Sequence, residues 1–92
     1  MGVNMTKEPK EERKKMLEAY VKENGRFFLE NKPRELYKNI LELVERPLIE
    51  MILEKTDGNQ KKAAKMLGIN RNTLHAKIKK LRIDVSNFKF YY

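Results

Sequence analysis

The stretch DGNQKKAAKMLGINRNTLHAKIKKLR, residues 57–82, contains two short helical patterns joined at Gly68. Asn59 and Asn70 stand immediately before the two patterns, where an asparagine side chain can cap free backbone N–H groups. Gly68 follows the first pattern and can adopt the left-handed conformation that ends a helix. The spacing therefore predicts one helix over residues 60–67 and another over residues 71–82.

The apolar residues of this stretch predict how the two helices pack. Ala64 lies four positions before the glycine, and its small side chain lets two short helices cross closely. Ile69, just after the glycine, can seal the corner. The second helix carries an inward stripe of Leu74, Ile78 and Leu81. Together these features favour a helix-turn-helix over an ordinary helical hairpin.

The net positive charge of the chain is confined to its last third. Residues 1–58 hold twelve Lys or Arg and twelve Asp or Glu, whereas residues 59–92 hold nine Lys or Arg and one acid, Asp84. The whole net charge of +8 therefore belongs to the second segment. A merely solubilising face normally has acids interspersed. The imbalance instead favours a polyanionic partner.

The exposed side of the second helix suits duplex DNA. Opposite its inward stripe lie Asn72, Ala76, Lys79 and Lys80, flanked by Thr73 and Lys77 on one side and by Arg71, His75 and Arg82 on the other. The first turn thus offers side chains that reach base edges, and the later turns offer lysines for phosphates. Lys61 and Lys62 of the preceding helix would meet the flanking backbone. We predict that the second helix enters the major groove of a DNA duplex, a groove that in RNA excludes a helix.

Two further helices are predicted before this unit. Residues 9–24 form the first, which Asn24-Gly25 should end, and the apolar cluster Phe27-Phe28-Leu29 follows. The second helix starts near Pro33 and extends to Thr56. Because its apolar spacing continues through Pro47, we predict one kinked helix and not two.

The second of these helices is apolar on more than one side, which requires more than one packing partner. Since a chain of 92 residues has a small core, a second copy of the chain is favoured over a monomer. The candidate dimerisation residues are Leu17, Tyr20, Val21, Leu36, Ile40, Val44 and Leu48.

The composition speaks against several classes of protein. Cys is absent, His75 is the only histidine and Ser86 the only serine, so we expect no metal site, no cofactor and no enzyme. Glu42, Glu45 and Glu50 are interpreted as solvated helix faces. No apolar run approaches the length of a membrane span. The expected location is the cytoplasm, on the nucleoid.

The predicted organisation is a flexible N-terminus over residues 1–8, dimerisation helices over 9–56, the helix-turn-helix over 57–82 and a tail over 83–92. The tail, IDVSNFKFYY, is interpreted as extended and is unusually aromatic. Docking on the core, docking on a dimer mate and an unstructured end all remain open for it.

The segment GNQKKAAKMLGINRNTLHAKIKKL resembles the C-terminal helix-turn-helix of Fis and of NtrC-type activators, and the upstream ELYKNILELVERPLIEMILEKTDGN is similar too. The resemblance covers residues 35–82 and implies an all-α, four-helix homodimer that binds DNA, usually with bending. It places DNA contacts at Asn59, Lys61, Lys62, Asn70, Arg71, Asn72, Thr73, His75, Lys77 and Lys79, beside the exposed Lys80. Members often have Arg at the position of His75 and Lys at that of Ala76.

The leading hypothesis is a homodimer that binds double-stranded DNA selectively in bacterial transcription. The start of the second helix and the extra tail favour the DNA-binding domain of an NtrC-type activator of the alternative-sigma-factor polymerase. Other domains of such a parent protein would contact the polymerase. A free-standing Fis-like protein that bends DNA is one alternative, and a helical module for an acidic protein partner is another.

Overall fold

The computed structural model describes residues 10–89, which contain four α-helices and no β-strand. The helices are α1 (Lys10–Asn31), α2 (Leu36–Lys55), α3 (Gln60–Leu67) and α4 (Arg71–Lys80), with 3₁₀ turns at Pro33–Glu35 and Val85–Phe88. The predicted all-α class is confirmed. The predicted flexible segment 1–8 lies outside the described residues. The chain divides into two compact units between Ile40 and Leu41.

Helix α1 is longer than predicted, because Asn24-Gly25 does not end it. The Asn24 side chain donates a hydrogen bond to the Tyr20 carbonyl at 2.8 Å and so stays within the helix. A glycine in a helix costs only about 1 kcal/mol relative to alanine. The next turn adds an edge-to-face contact between the Phe27 and Phe28 rings, whose centroids are 5.6 Å apart. The cluster that was expected after the helix is therefore part of it.

The break between α1 and α2 occurs at a proline. Pro33 restricts the residue before it, and Lys32 accordingly leaves the helical region with φ −146° and ψ 66°. Pro33 then occupies the first position of the 3₁₀ turn, where its missing N–H costs nothing. Helix α2 continues through Pro47 as one helix, so the prediction of a single helix there is confirmed.

The core belongs to the second unit. Ile49 and Leu53 of α2 are buried against residues of α3, α4 and the chain after α4. The remaining buried apolar residues are Ala63, Ala64, Leu74, Ile78, Leu81 and Ile83. The inward stripe predicted for the fourth helix is thus confirmed, and α2 is the third wall of the helix-turn-helix core.

The tail docks on this core, and the interpretation of it as extended is wrong for its described part. Ile83 is buried, and Val85 and Phe88 pack partly buried against the same cluster. The chain coils into the 3₁₀ turn because the Asp84 carboxylate caps it, accepting hydrogen bonds from the Ser86 N–H and hydroxyl. Phe90 and the two terminal tyrosines lie outside the described residues.

Many large apolar side chains are not covered within a single chain. Helix α1 has no buried residue, and Leu17 and Tyr20 are about half exposed while Val21 is partly buried. In α2, Leu36 and Ile40 are partly buried. Further along α2, an exposed row consists of Leu41, Val44, Leu48 and Met51. None of the helices within residues 10–89 has the length and apolar character needed to cross a membrane.

Candidate nucleic-acid interface

The turn before α3 reverses the chain through two left-handed residues. Asp57 has φ 52° and Gly58 has φ 79°, and the Gly58 N–H donates to the Leu53 carbonyl at 2.8 Å. The next residue, Asn59, accepts a hydrogen bond from the Lys62 N–H at 3.0 Å. The predicted cap at Asn59 is confirmed, and it fixes the exposed Lys61 and Lys62 at the start of α3.

The corner between α3 and α4 is built as the sequence predicted. Gly68 is left-handed with φ 74°, and the Ile69 N–H donates a hydrogen bond to the Ala64 carbonyl at 3.1 Å. The Asn70 side chain caps α4 by accepting from the Asn72 N–H at 2.7 Å. These bonds satisfy helix-end groups that would otherwise need water. They hold the first turn of α4 in a fixed position beside α3.

The two helices cross through small and branched side chains. Ala63 and Leu74 are fully buried and Ala64 is 3% exposed, so the backbone of α3 approaches α4 closely. At the surface above this contact, His75 Nδ1 lies 3.3 Å from Gln60 Oε1. This polar contact joins the first turn of α3 to the exposed face of α4.

The predicted DNA-facing side chains of α4 lie on the solvent side. Arg71, Asn72, Thr73, His75, Lys79 and Lys80 are exposed, as are Ala76 and the cap residue Asn70. Lys77 differs, because it is only partly exposed. The structure therefore leaves the predicted side chains of α4 open to solvent, with Lys77 and Lys80 on the side that faces glutamates of α2.

Two glutamates of α2 bind lysines of α4. Lys77 Nζ lies 2.6 Å from Glu45 Oε2, and Lys80 Nζ lies 3.8 Å from Glu42 Oε2. The glutamate side chains are only 24% and 29% exposed respectively. The interpretation of Glu42 and Glu45 as a solvated face is therefore wrong. They neutralise part of the basic helix on the side that faces α2 and help to fix its orientation.

Arg46 makes a long-range contact that the sequence analysis did not predict. Its guanidinium donates a hydrogen bond to the Leu81 carbonyl at the end of α4, and it also pairs with Glu50 at 3.4 Å. A cation at a helix C-terminus satisfies free carbonyls and opposes the negative end of the helix dipole. Helix α4 ends at Lys80, two residues earlier than predicted, because Arg82 turns left-handed with φ 57°.

A cleft of about 580 Å³ opens between the first turns of α3 and α4 and is bordered by the tail. It is lined by Gly58, Asn59, Gln60, Lys61, Arg71, Asn72, His75 and Lys89. None of these lining residues is acidic. Gln60 and Lys89 were not among the predicted site residues. Only the position of Gln60 next to the cap could have indicated its role.

Within residues 10–89, no three His, Cys, Asp or Glu side chains lie together as a metal ion would require. The arrangement is instead a rigid pair of capped helices with a basic, hydrogen-bonding rim. Its chemistry is that of binding anions and polar edges.

Comparison with known proteins agrees with this geometry. The family described as "Bacterial regulatory protein, Fis family" matches residues 40–81, which span most of α2 and the whole helix-turn-helix. "DNA-binding protein Fis" of Glaesserella parasuis serovar 5 is 46% identical over 68 residues, covering 70% of this chain and 69% of that protein. No solved structure matches the chain significantly.

Other relatives match shorter segments. "DNA-binding protein Fis" of Psychromonas ingrahamii is 56% identical over 48 residues, which cover 52% of this chain and 48% of that protein. "DNA-binding transcriptional regulator NtrC" of Azospirillum brasilense is 58% identical over 50 residues, which cover 54% of this chain but only 10% of the regulator. The shorter matches are thus the more identical ones, and the family match lies over residues 40–81.

Proposed function

Since the chain belongs to the Fis family of bacterial regulatory proteins, we propose that it binds double-stranded DNA selectively, as a homodimer, in bacterial transcription. The function is non-enzymatic and is exerted on the nucleoid in the cytoplasm. The single observation that carries the proposal is the exposed first turn of α4, where Arg71, Asn72 and Thr73 face solvent on a capped, rigid helix.

These side chains have the chemistry of direct sequence readout. Arginine donates two hydrogen bonds to the guanine edge, and asparagine pairs with the adenine edge in the major groove. The next turn presents Ala76, which is exposed and small, so α4 can lie deep in a groove. Lys61, Lys62 and Lys79 are exposed and suit phosphates, which set register and affinity without reading sequence.

The homodimer is supported by the apolar side chains that a single chain leaves uncovered. Leu17 and Tyr20 in the first unit, and Val44 and Leu48 in the second, are each at least 40% exposed. Val44 and Leu48 are four residues apart and so share one face of α2, and exposed apolar surface of this kind on a small protein usually marks an interface. A two-fold dimer would present two α4 helices to half-sites about one helical turn, roughly 34 Å, apart.

We propose two alternatives for the kind of protein to which this DNA-binding chain belongs. A free-standing Fis-like protein is favoured by the longer alignment, since 68 residues match the Glaesserella Fis and 50 match the Azospirillum NtrC. The DNA-binding domain of an NtrC-type activator is favoured by the 58% identity of that shorter segment. In that case, contacts with polymerase would belong to other domains. Circular-permutation bending assays separate the two alternatives. A large bend with a small difference in affinity between specific and random duplex favours the Fis-like protein, and selective binding favours the activator domain.

The direct test is selection of bound duplexes from a random pool. We expect an enriched two-fold symmetric site, with half-sites about one helical turn apart. The variants are then measured on the selected site and on random duplex. Arg71→Ala and Asn72→Ala should each lower the binding free energy for the selected site by about 1–3 kcal/mol and relax its base preference. Lys79→Ala is the matched control from the same exposed face and should weaken all duplexes alike.

Binding should also fall steeply with salt. A protein with 6–10 phosphate contacts loses roughly 10³–10⁵ in affinity between 50 and 200 mM salt. Selection without any enriched sequence, or equal effects of all three variants on specific and random duplex, would refute direct readout by α4. If the chain bound no duplex but captured an acidic protein, the protein-interaction alternative would replace the proposal.

A further inference from the structure

We propose that Lys89, in the tail after the family-matched segment, completes a binding cleft for one backbone phosphate of the DNA duplex. The inference rests on the proposed function. Lys89 lines the cleft together with Lys61 of α3 and Arg71 of α4. The three cations come from three separate segments of the chain, and the family match ends at residue 81. The tail therefore adds a contact that the helix-turn-helix alone does not supply.

The position of Lys89 is fixed by packing. Ile83 is 7% exposed, and Phe88, next to Lys89, packs against the core. The Lys89 stem passes over the buried Gly58, where an added Cβ would come within 2.8 Å of its Cγ. A glycine at position 58 thus permits the close approach that brings the lysine to the cleft.

The electrostatics of the cleft call for an anion. Lys61, Arg71 and Lys89 form no ion pair with the acidic side chains of residues 10–89, and no acid lines the cleft. By contrast, Lys77 and Lys80 on the other side of α4 are paired with glutamates. Three unpaired cations around one concave space repel one another unless a negative group lies between them. A phosphate oxygen, which accepts charge-assisted hydrogen bonds from lysines, has the required chemistry. Its bonds would come from Lys61 and Lys89, which leaves the Arg71 guanidinium for the guanine edge.

The source of the phosphate follows from the neighbours of the cleft. Asn72 lines the cleft and belongs to the turn proposed to read base edges. A phosphate held there would be part of the strand whose bases α4 contacts. Lys89 would then help to set the register of α4 in the groove, since phosphate contacts position a protein on the duplex.

The test compares the full chain with Lys89→Gln on the selected duplex and on random duplex. Gln keeps much of the stem and removes the charge. We expect a three- to tenfold loss of affinity near 0.1 M salt on both duplexes, and a fall of about 1 in the slope of log affinity against log salt. Lys55→Gln is the matched control: Lys55 is exposed in the same unit but does not line the cleft, and it should change the slope little.

A methylphosphonate scan identifies the partner atom. Each backbone phosphate of the selected duplex is neutralised in turn. Neutralisation at one position should weaken binding of the unmutated chain but leave binding of Lys89→Gln unchanged. Loss of affinity in Lys89→Gln without such a position would overturn the specific contact. Equal affinities and salt slopes of Lys89→Gln and Lys55→Gln would also overturn it. So would a Lys89→Gln variant that loses binding of inorganic phosphate but binds the duplex as the unmutated chain does. Failure of the unmutated chain to bind any duplex would instead refute the proposed function.

Discussion

At the scale of single residues, two glycines share a backbone conformation but differ in surroundings. Gly58 and Gly68 have φ +79° and +74°, values that side chains with a Cβ rarely adopt. An added Cβ at Gly68 meets nothing within 4 Å, whereas one at Gly58 meets Lys89, Phe88 and Val85. Gly68 is therefore required for the turn alone, and Gly58 for both the turn and the docking of the tail.

This difference predicts unequal costs for the same substitution. Gly68→Ala should lower the free energy of unfolding by about 1–2 kcal/mol, the cost of a left-handed residue with a Cβ. Gly58→Ala should cost more, because the Lys89 stem must also move. Urea unfolding of both variants measures the difference, and adding Lys89→Ala should recover the excess at Gly58 but nothing at Gly68. Equal costs at the two positions would contradict this account.

A second residue-scale prediction concerns Asp84. Hydrogen bonds from the Ser86 hydroxyl and N–H hold the pKa of the Asp84 carboxyl below its ordinary 3.8. A carboxyl whose pKa is lower in the folded state stabilises that state above its unfolded pKa, and the contribution is lost as pH falls through the folded pKa. The stability of the 3₁₀ turn should therefore not depend on pH well above 3.8 and should decrease in stronger acid. The pH dependence of the Ser86 amide resonance checks this, with Asp84→Asn as a non-titrating cap that should remove the transition.

At the scale of elements, α2 orients α4 through charged side chains as well as through the core. The Glu45–Lys77 pair is short and partly buried, the Glu42–Lys80 pair is longer and more exposed, and Arg46 caps the end of α4. These contacts join the helix on which dimerisation is proposed to the helix proposed to read DNA. Neutralising the glutamates should therefore change both stability and DNA binding.

The two pairs should differ in strength. A double-mutant cycle of Glu45→Gln and Lys77→Gln should give a coupling of roughly 0.5–1 kcal/mol, since these side chains remain partly exposed. The same cycle on Glu42 and Lys80 should give less, because Nζ and Oε2 are 3.8 Å apart. Glu45→Gln should also raise affinity for all duplexes by removing a negative charge beside the basic face. A larger coupling for Glu42–Lys80 would show that the paired geometry does not persist in solution.

At the scale of the whole molecule, the uncovered apolar side chains predict a concentration-dependent assembly. Leu48→Lys should shift the chain from dimer to monomer in sedimentation equilibrium with little cost to the fold of one chain, because Leu48 is already 43% exposed. It should also weaken binding to the two-fold site more than to a single half-site. Met66→Lys is the matched control, since Met66 is 55% exposed on α3 and outside the proposed interface. An unchanged mass for Leu48→Lys would rule out this face of α2 as the dimer contact.

The sequence alone determined the helix-turn-helix because its signals are local. Asn59, Gly68 and Asn70 act on backbone groups within a few residues, and the stripe of Leu74, Ile78 and Leu81 follows from helical periodicity. Those positions, the α3 bounds and the exposed face of α4 were predicted from residue types alone. The end of α1 was not, because a weak local breaker at Asn24-Gly25 competed with helical contacts that continue on both sides.

Only the tertiary structure decided the contacts between residues distant in sequence. Arg46 reaches Leu81, Glu45 reaches Lys77, and the tail folds back over Gly58 to place Lys89 beside Lys61 and Arg71. No spacing rule predicts these pairs, because they depend on how α2 and the tail pack against the helix-turn-helix core. Local backbone chemistry thus specifies the basic helical unit, while packing across the core specifies which of its charges are neutralised and which stay available for a ligand.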